Sequence, residues 1–143
     1  MVPYPLDFLW EKVEKKYSGE EAKTISGVDV SYRDEKYAAV LITFEDEKLK
    51  DIKVDQGISN EPYRSSLFFL KEAPVISKLI YGESIDLLFV NGHGICHPYL
   101  YGLATVIGLT HGIPTIGIAQ RLISGTYEEI ESGHPDIAYI AQN

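Results

Sequence analysis

Sulfur is scarce in this chain, which has one cysteine and one methionine in 143 residues. A single thiol excludes an internal disulfide framework and suits a reducing compartment. Long apolar runs are missing as well. No stretch approaches the roughly 20 apolar residues of a membrane span, and the opening MVPYPLDFLW lacks the basic-then-apolar pattern of a secretory leader. A cytoplasmic protein without a membrane partner is the expectation. Basic residues are in deficit, 13 against 21 acids, which leaves a net charge of −8. That field repels polyanions, so binding nucleic acid requires bound cations or a local basic patch. An acidic metal site, however, contributes to the same charge. Repeats, linkers and low-complexity segments are absent. A hydrophobic content of 45% over this length supports one core, so a single domain over 1–143 is expected, with the oligomeric state left open.

The residues that are present fall into clear periods. LDFLWEKVEKKY sets Leu6, Leu9, Val13 and Tyr17 at helical spacing, which predicts an amphipathic helix within 1–20. ISGVDVSY, KYAAVLITFED and KLKDIKVDQG are β-branched or alternating runs separated by charged turns, which predicts three strands in an antiparallel meander. From SSLFFLKEAPVISKLIYG the apolar spacing changes to three and four, so a helix is expected, opened or kinked by Pro74 and ended by Gly82. SIDLLFVNG then reads as a strand buried on both faces, HPYLYGLATVIGLTHG as a helix with Pro98 in its first turn and Gly112 past its end, and IPTIGIA as a last buried strand. A meander followed by alternating strand and helix implies a mixed α/β sheet of five strands with helices on both faces. The polar tail over 126–143, with Glu128, Glu129, Glu131 and Asp136, carries no clear period.

Several polar residues interrupt the apolar runs. Asp29 lies inside GVDVS, between two valines that share the opposite face. A buried charge there must be paired, protonated or metal-bound, while the alternative is a strand-end aspartate facing solvent. Glu72 follows an aromatic patch near a helix start, where the macrodipole alone accounts for an acid. NGHGICHP, Asn91 to Pro98, follows a buried strand, and in open sheets ligands gather at strand ends. His93 and His97 are four apart, a ligand spacing on a helix, but Gly92, Gly94 and Pro98 argue against a helix there. A glycine-rich turn with Cys96 as a small buried apolar residue is the competing reading. Gln120 and Arg121 stand just past the last strand, near the same edge. Asp29, Asn91 and Gln120 all belong to strands expected to be neighbours, which points to one site.

Taken together, GVDVSY, PYRSSLFFLKEAP, NGHGICHPYLYGLATVIGL and IPTIGIAQRLISG resemble endonuclease V, the family that cuts nucleic acid near deaminated adenine. The resemblance runs from about Ser26 to Gly125 in order and spacing. It implies a ribonuclease H-like fold, a DNA or RNA substrate containing deaminated bases, and Mg2+ or Mn2+ as cofactor. The family's first two metal-binding acids are matched by Asp29 and Glu72. The third, which opens DGHG, is Asn91 here, so the expected metal set Asp29, Glu72 and Asn91 has lost one unit of ligand charge and some affinity.

The catalytic lysine position is Gln120, which removes a cation that would organise the phosphate. The histidine before proline is matched by His97, and the tyrosine that wedges beside the lesion by Tyr63. The pocket for a flipped base corresponds by position to Ser66, Phe68, Gly92, Gly102 and Leu103, with His93 and Gly94 in the same loop. Ser65 and Ser66 replace a Pro-Gly pair and Tyr99 replaces an arginine, and the chain ends before a C-terminal region that longer members carry. The resemblance therefore implies a metal-dependent nuclease. Asn91 and Gln120 favour, as the alternative, an impaired relative that binds nucleic acid or a protein without cutting. A third reading has Glu128, Glu129 or Glu131 replacing the missing carboxylate.

Overall fold

The computed structural model describes residues 21–59, 69–94, 102–119, 126–129 and 139–142. The expected N-terminal helix and its residues Leu6, Leu9, Val13 and Tyr17 lie outside them.

The meander forms as its alternation predicts. Strands β1 (Thr24–Arg33), β2 (Lys36–Glu45) and β3 (Lys48–Ile58) pair antiparallel in sequence. Asp46 and Glu47 close the second hairpin with φ of 48° and 67°, the left-handed pair that matches the twist of a two-residue hairpin turn. Helix α1 (Phe69–Ile80) then carries the chain back to β4 (Leu87–Asn91), which pairs parallel with β1. Helix α2 (Leu103–His111) leads on to β5 (Thr115–Ile118), parallel to β4. The sheet order is β3-β2-β1-β4-β5. Two further short strands, β6 (Thr126–Glu129) and β7 (Tyr139–Gln142), pair antiparallel as a separate ribbon in the tail that showed no period.

Both described helices pack on one face of the sheet. Val28 of β1, Ala39 and Leu41 of β2, and Leu88 and Val90 of β4 meet Val75, Ile76, Leu79 and Ile80 of α1 and Leu103, Val106 and Ile107 of α2 in one cluster. Fully burying a side chain such as Leu41 or Ile76 stabilises the fold by about 2 kcal/mol. One polar pair sits inside this face, Ser26 Oγ with Thr43 Oγ1 at 2.8 Å, so neither buried hydroxyl is left without a partner.

The parallel register of β1 and β4 is clamped at its start. The Asp86 carboxylate accepts the N–H groups of Lys23 and Thr24 at 3.0 and 2.9 Å, while the Asp86 N–H donates to the Thr24 carbonyl at 2.9 Å. With that end fixed, Val28 falls opposite Val90. The next residue on each strand is Asp29 and Asn91.

Three sequence expectations change. Pro74 does not open the helix, because α1 already starts at Phe69 and Pro74 lies inside it, on its exposed side. The second helix starts at Leu103 and not near Pro98, which is outside the described residues. Its cap, Gly102, is extended at φ −69° and ψ 169°. The Gly102 N–H donates to the Gly94 carbonyl at 3.0 Å, a tertiary bond that holds the chain out of helix there. Finally, β5 is not a strand buried on both faces. It is the edge of the sheet, paired with β4 alone, and Ile116 and Ile118 are 36% and 55% exposed.

Candidate active site

The middle of β1 and the carboxyl-terminal end of β4 bring Asp29 and Asn91 side by side. Both are exposed and turned away from the core that Val28 and Val90 enter. Asp29 Oδ1 accepts two N–H groups, from its neighbour Val30 at 2.9 Å and from the Asn91 side-chain amide at 2.9 Å. The valines do share the face opposite Asp29. The costly buried charge considered from the sequence is therefore not at this residue.

It is at Glu72. In α1 the buried positions Glu72, Val75, Ile76, Leu79 and Ile80 are spaced three and four apart, so Glu72 is the first member of the helix's apolar stripe. A carboxyl stands where the pattern calls for a hydrocarbon, and only 4% of the residue is exposed. Burial pushes its pKa from the ordinary 4.5 to about 8, the nearby charge of Asp29 adds to the rise, and the Lys71 ammonium partly offsets it. A buried acid thus feels the charge of an exposed one across the sheet. Both are oxygen donors of the kind that hard divalent cations prefer.

Tyr32 and Lys71 complete this corner, and sequence reasoning missed both. The Tyr32 hydroxyl donates to the Lys71 carbonyl at 3.3 Å, and the Lys71 ammonium lies 4.2 Å from the centre of the Tyr32 ring. Burial raises the Tyr32 pKa, and the charges of Glu72 and Tyr37 raise it further. The usable signal was the β1 alternation, which puts Ser26, Val28, Val30 and Tyr32 on the helix side of the sheet, where the Tyr32 hydroxyl reaches Lys71 at the start of α1.

The loop after Asn91 is held by backbone contacts. Gly92 N–H donates to the Ile118 carbonyl at 2.8 Å, and the His93 carbonyl accepts the Ala104 N–H at 3.0 Å. A side chain at Gly102 would stand 2.1 Å from the His93 carbonyl oxygen, and one at Gly117 would stand 2.5 Å from the Gly92 carbonyl oxygen. Both positions require glycine because one backbone crosses another there. Leu103, 2% exposed, packs beneath Gly92. The structure therefore gathers Gly92, His93, Gly94, Gly102 and Leu103 into one unit beside Asn91. Tyr63, Ser66, Phe68, His97 and Gln120 lie outside the described residues. Among the described residues, no three His, Cys, Asp or Glu side chains converge as a metal cluster. Glu128 and Glu129 pair with Ile140 and Tyr139 on the β6–β7 ribbon, and Glu131 is outside the described residues.

The family model for endonuclease V matches residues 8–143. The chain belongs to the endonuclease V family. The Thermococcus kodakarensis endonuclease V is 47% identical over 119 residues, covering 81% of this chain and 60% of that relative. The Pyrococcus abyssi endonuclease V is 42% identical over 123 residues, covering 82% and 63%. The chain thus spans about three fifths of the length of these relatives. The Streptomyces avermitilis endonuclease V structure aligns with 95% of this chain and 64% of its own, at a TM-score of 0.77 and 25% identity. A Ciona intestinalis endonuclease V in complex with a DNA containing an inosine followed by a ribo-adenosine shares the fold at a TM-score of 0.70 and 22% identity, over 81% of this chain and 54% of its own. The ribonuclease H-like fold expected from the motifs of the endonuclease V family is the one found.

Proposed function

We propose that this chain hydrolyses a phosphodiester near deaminated adenine in DNA or RNA, using Mg2+ or Mn2+ held by Asp29 and Glu72. The observation that carries the reading is the buried Glu72 in the stripe of α1, close enough to Asp29 for the two charges to interact. A buried acid in an apolar stripe, only partly offset by Lys71, costs stability, which is the pattern of a functional group. The donor set fits a hard cation, because two carboxylates whose charges act on each other are relieved by positive charge. A bound divalent ion supplies an acidified water and neutralises charge building on the phosphate.

Each residue of the chain has a definite part in this reading. Asp29 is oriented by the Val30 N–H, which fixes its Oδ1. Glu72 keeps its proton until a cation or a rise in pH removes it. Lys71, next to Glu72 and stacked on Tyr32, places positive charge where a phosphate approaches. The Gly92–Gly94 loop, propped by Gly102 and Leu103, presents backbone groups to a base taken out of its stack. His97, Gln120 and the wedge Tyr63 are assigned to phosphate, water and lesion by family position.

Support for the substrate comes from the Ciona relative's inosine-containing DNA. The test is cleavage of inosine-containing single- and double-stranded DNA and RNA with Mg2+ or Mn2+, compared with adenosine controls. Metal-dependent, inosine-dependent cleavage is expected, and its absence in the chain and in the double variant Asn91→Asp, Gln120→Lys would contradict the reading.

One observation favours a second reading, binding without cutting: Asn91 already satisfies Asp29 by a hydrogen bond. Under it the double variant gains metal-dependent cleavage that the parent lacks, while the parent binds inosine over adenosine and cuts neither.

A further inference from the structure

We infer that Asn91 is a donor that competes with cations for Asp29, and not a ligand of the cation. The inference rests on the proposed cation site at Asp29 and Glu72. From the sequence, Asn91 counts as a weakened ligand offering its carbonyl oxygen. The structure turns the residue the other way, with the Asn91 amide nitrogen donating to Asp29 Oδ1 at 2.9 Å. The geometry explains the choice. Val28 and Val90 are paired in parallel register, so the next side chains, Asp29 and Asn91, emerge together on the same side.

An amide beside a carboxylate is stable with its N–H groups toward the negative charge and is repelled with its oxygen there. Two acids in these places would repel each other and need a cation between them. An acid with an amide needs none. Asp29 Oδ1 therefore has a full complement of donors, the Val30 N–H and the Asn91 amide. A divalent ion that approaches this oxygen must first displace the amide, since the strand backbone holding the Val30 N–H cannot move away. Both residues are exposed, so displacement needs only a side-chain rotation. The device is a local threshold for metal loading, set by one hydrogen bond.

Mn2+ binding to the full chain by titration calorimetry, without nucleic acid, separates competitor from ligand. Removing a ligand weakens binding, whereas removing a competitor strengthens it. Asn91→Ala is expected to bind Mn2+ about fivefold more tightly than the parent, the gain from losing one charge-assisted hydrogen bond at an exposed site. Asn91→Asp, which removes the donor and adds a charge, is expected to gain at least about tenfold. Asp29→Ala should abolish the binding in either background.

An Asn91→Ala affinity equal to or below that of the parent overturns the competitor role. Absence of Asp29-dependent Mn2+ binding even in Asn91→Asp overturns instead the cation site on which the inference rests. A second measurement needs no variant: on saturation with Mg2+, solvent exchange of the Asn91 side-chain NH2 protons should accelerate as the amide is released. Slower exchange would contradict the inference.

Discussion

The two ends of α1 meet acids in opposite states. Near its end, Asp55 of β3 accepts the Tyr37 hydroxyl at 2.9 Å and pairs with the Lys78 ammonium at 3.3 Å, and these partners hold its carboxyl below the ordinary 3.8. Lys53 of the same strand donates to the Leu79 carbonyl at 3.0 Å and to Glu83 at 2.8 Å. Near its start, Glu72 is driven up to about 8 by burial and by a like charge. The first acid is compensated and joins helix to sheet. The second is offset only in part, by Lys71, and opposes the fold. Acids of the second kind persist where chemistry needs them, while those of the first kind need no explanation beyond packing.

The largest break of this contrast is expected at the Glu72 end. Asp29→Ala should lower metal-dependent cleavage by at least about a hundredfold, more than the usual penalty for a group one step removed from a metal, with melting temperature nearly unchanged because Asp29 is exposed. A cleavage assay beside a thermal melt reads both.

Next, Glu72→Leu completes the apolar stripe of α1 and should raise the unfolding free energy at pH 8 by about 1 kcal/mol or more while cleavage is lost. The pH dependence carries a definite sign. A carboxyl whose pKa is raised on folding contributes most below its unfolded value of 4.5, and that stability is lost as pH rises through about 8. Denaturant melts of the metal-free protein should show the decline, and Glu72→Leu should flatten it.

The compensated end predicts the reverse slope. Asp55→Asn should cost about 1 kcal/mol at pH 7, and the cost should vanish as pH falls below the ordinary 3.8, where the native carboxyl also loses its charge. The smallest effect concerns alignment. Asp86→Ala removes the clamp on the β1 and β4 register and should cost under about 1 kcal/mol, visible as faster amide exchange at Lys23 and Thr24.

Much of this was legible in the residues because period and punctuation agree. The meander follows from alternation between Thr24 and Ile58, broken at Asp34 and at Asp46 and Glu47, where the backbone turns left-handed. The stripe at Glu72, Val75, Ile76, Leu79 and Ile80 was equally readable, yet an acid in a first helical turn has a sufficient local explanation and masked its burial. What stayed hidden depends on neighbours distant in sequence. The start of α2 is set by the bond from Gly102 to the Gly94 carbonyl, so Pro98 misled. The exposure of β5 follows from its place at the sheet edge, which no local pattern encodes. The direction of the Asn91 amide depends on a parallel register between strands separated by a whole helix. The endonuclease V motifs pointed to Asp29, Glu72 and Asn91, and the structure shows the Asn91 amide donating to Asp29.

A crystal of the full chain grown or soaked with Mn2+ and measured for anomalous scattering tests the central claim most directly. A peak within coordination distance of both Asp29 and Glu72, with the Asn91 amide rotated away, is the predicted result. At saturating Mn2+, an empty Asp29–Glu72 corner, or a peak only at acids elsewhere such as Glu128 and Glu129, would contradict it.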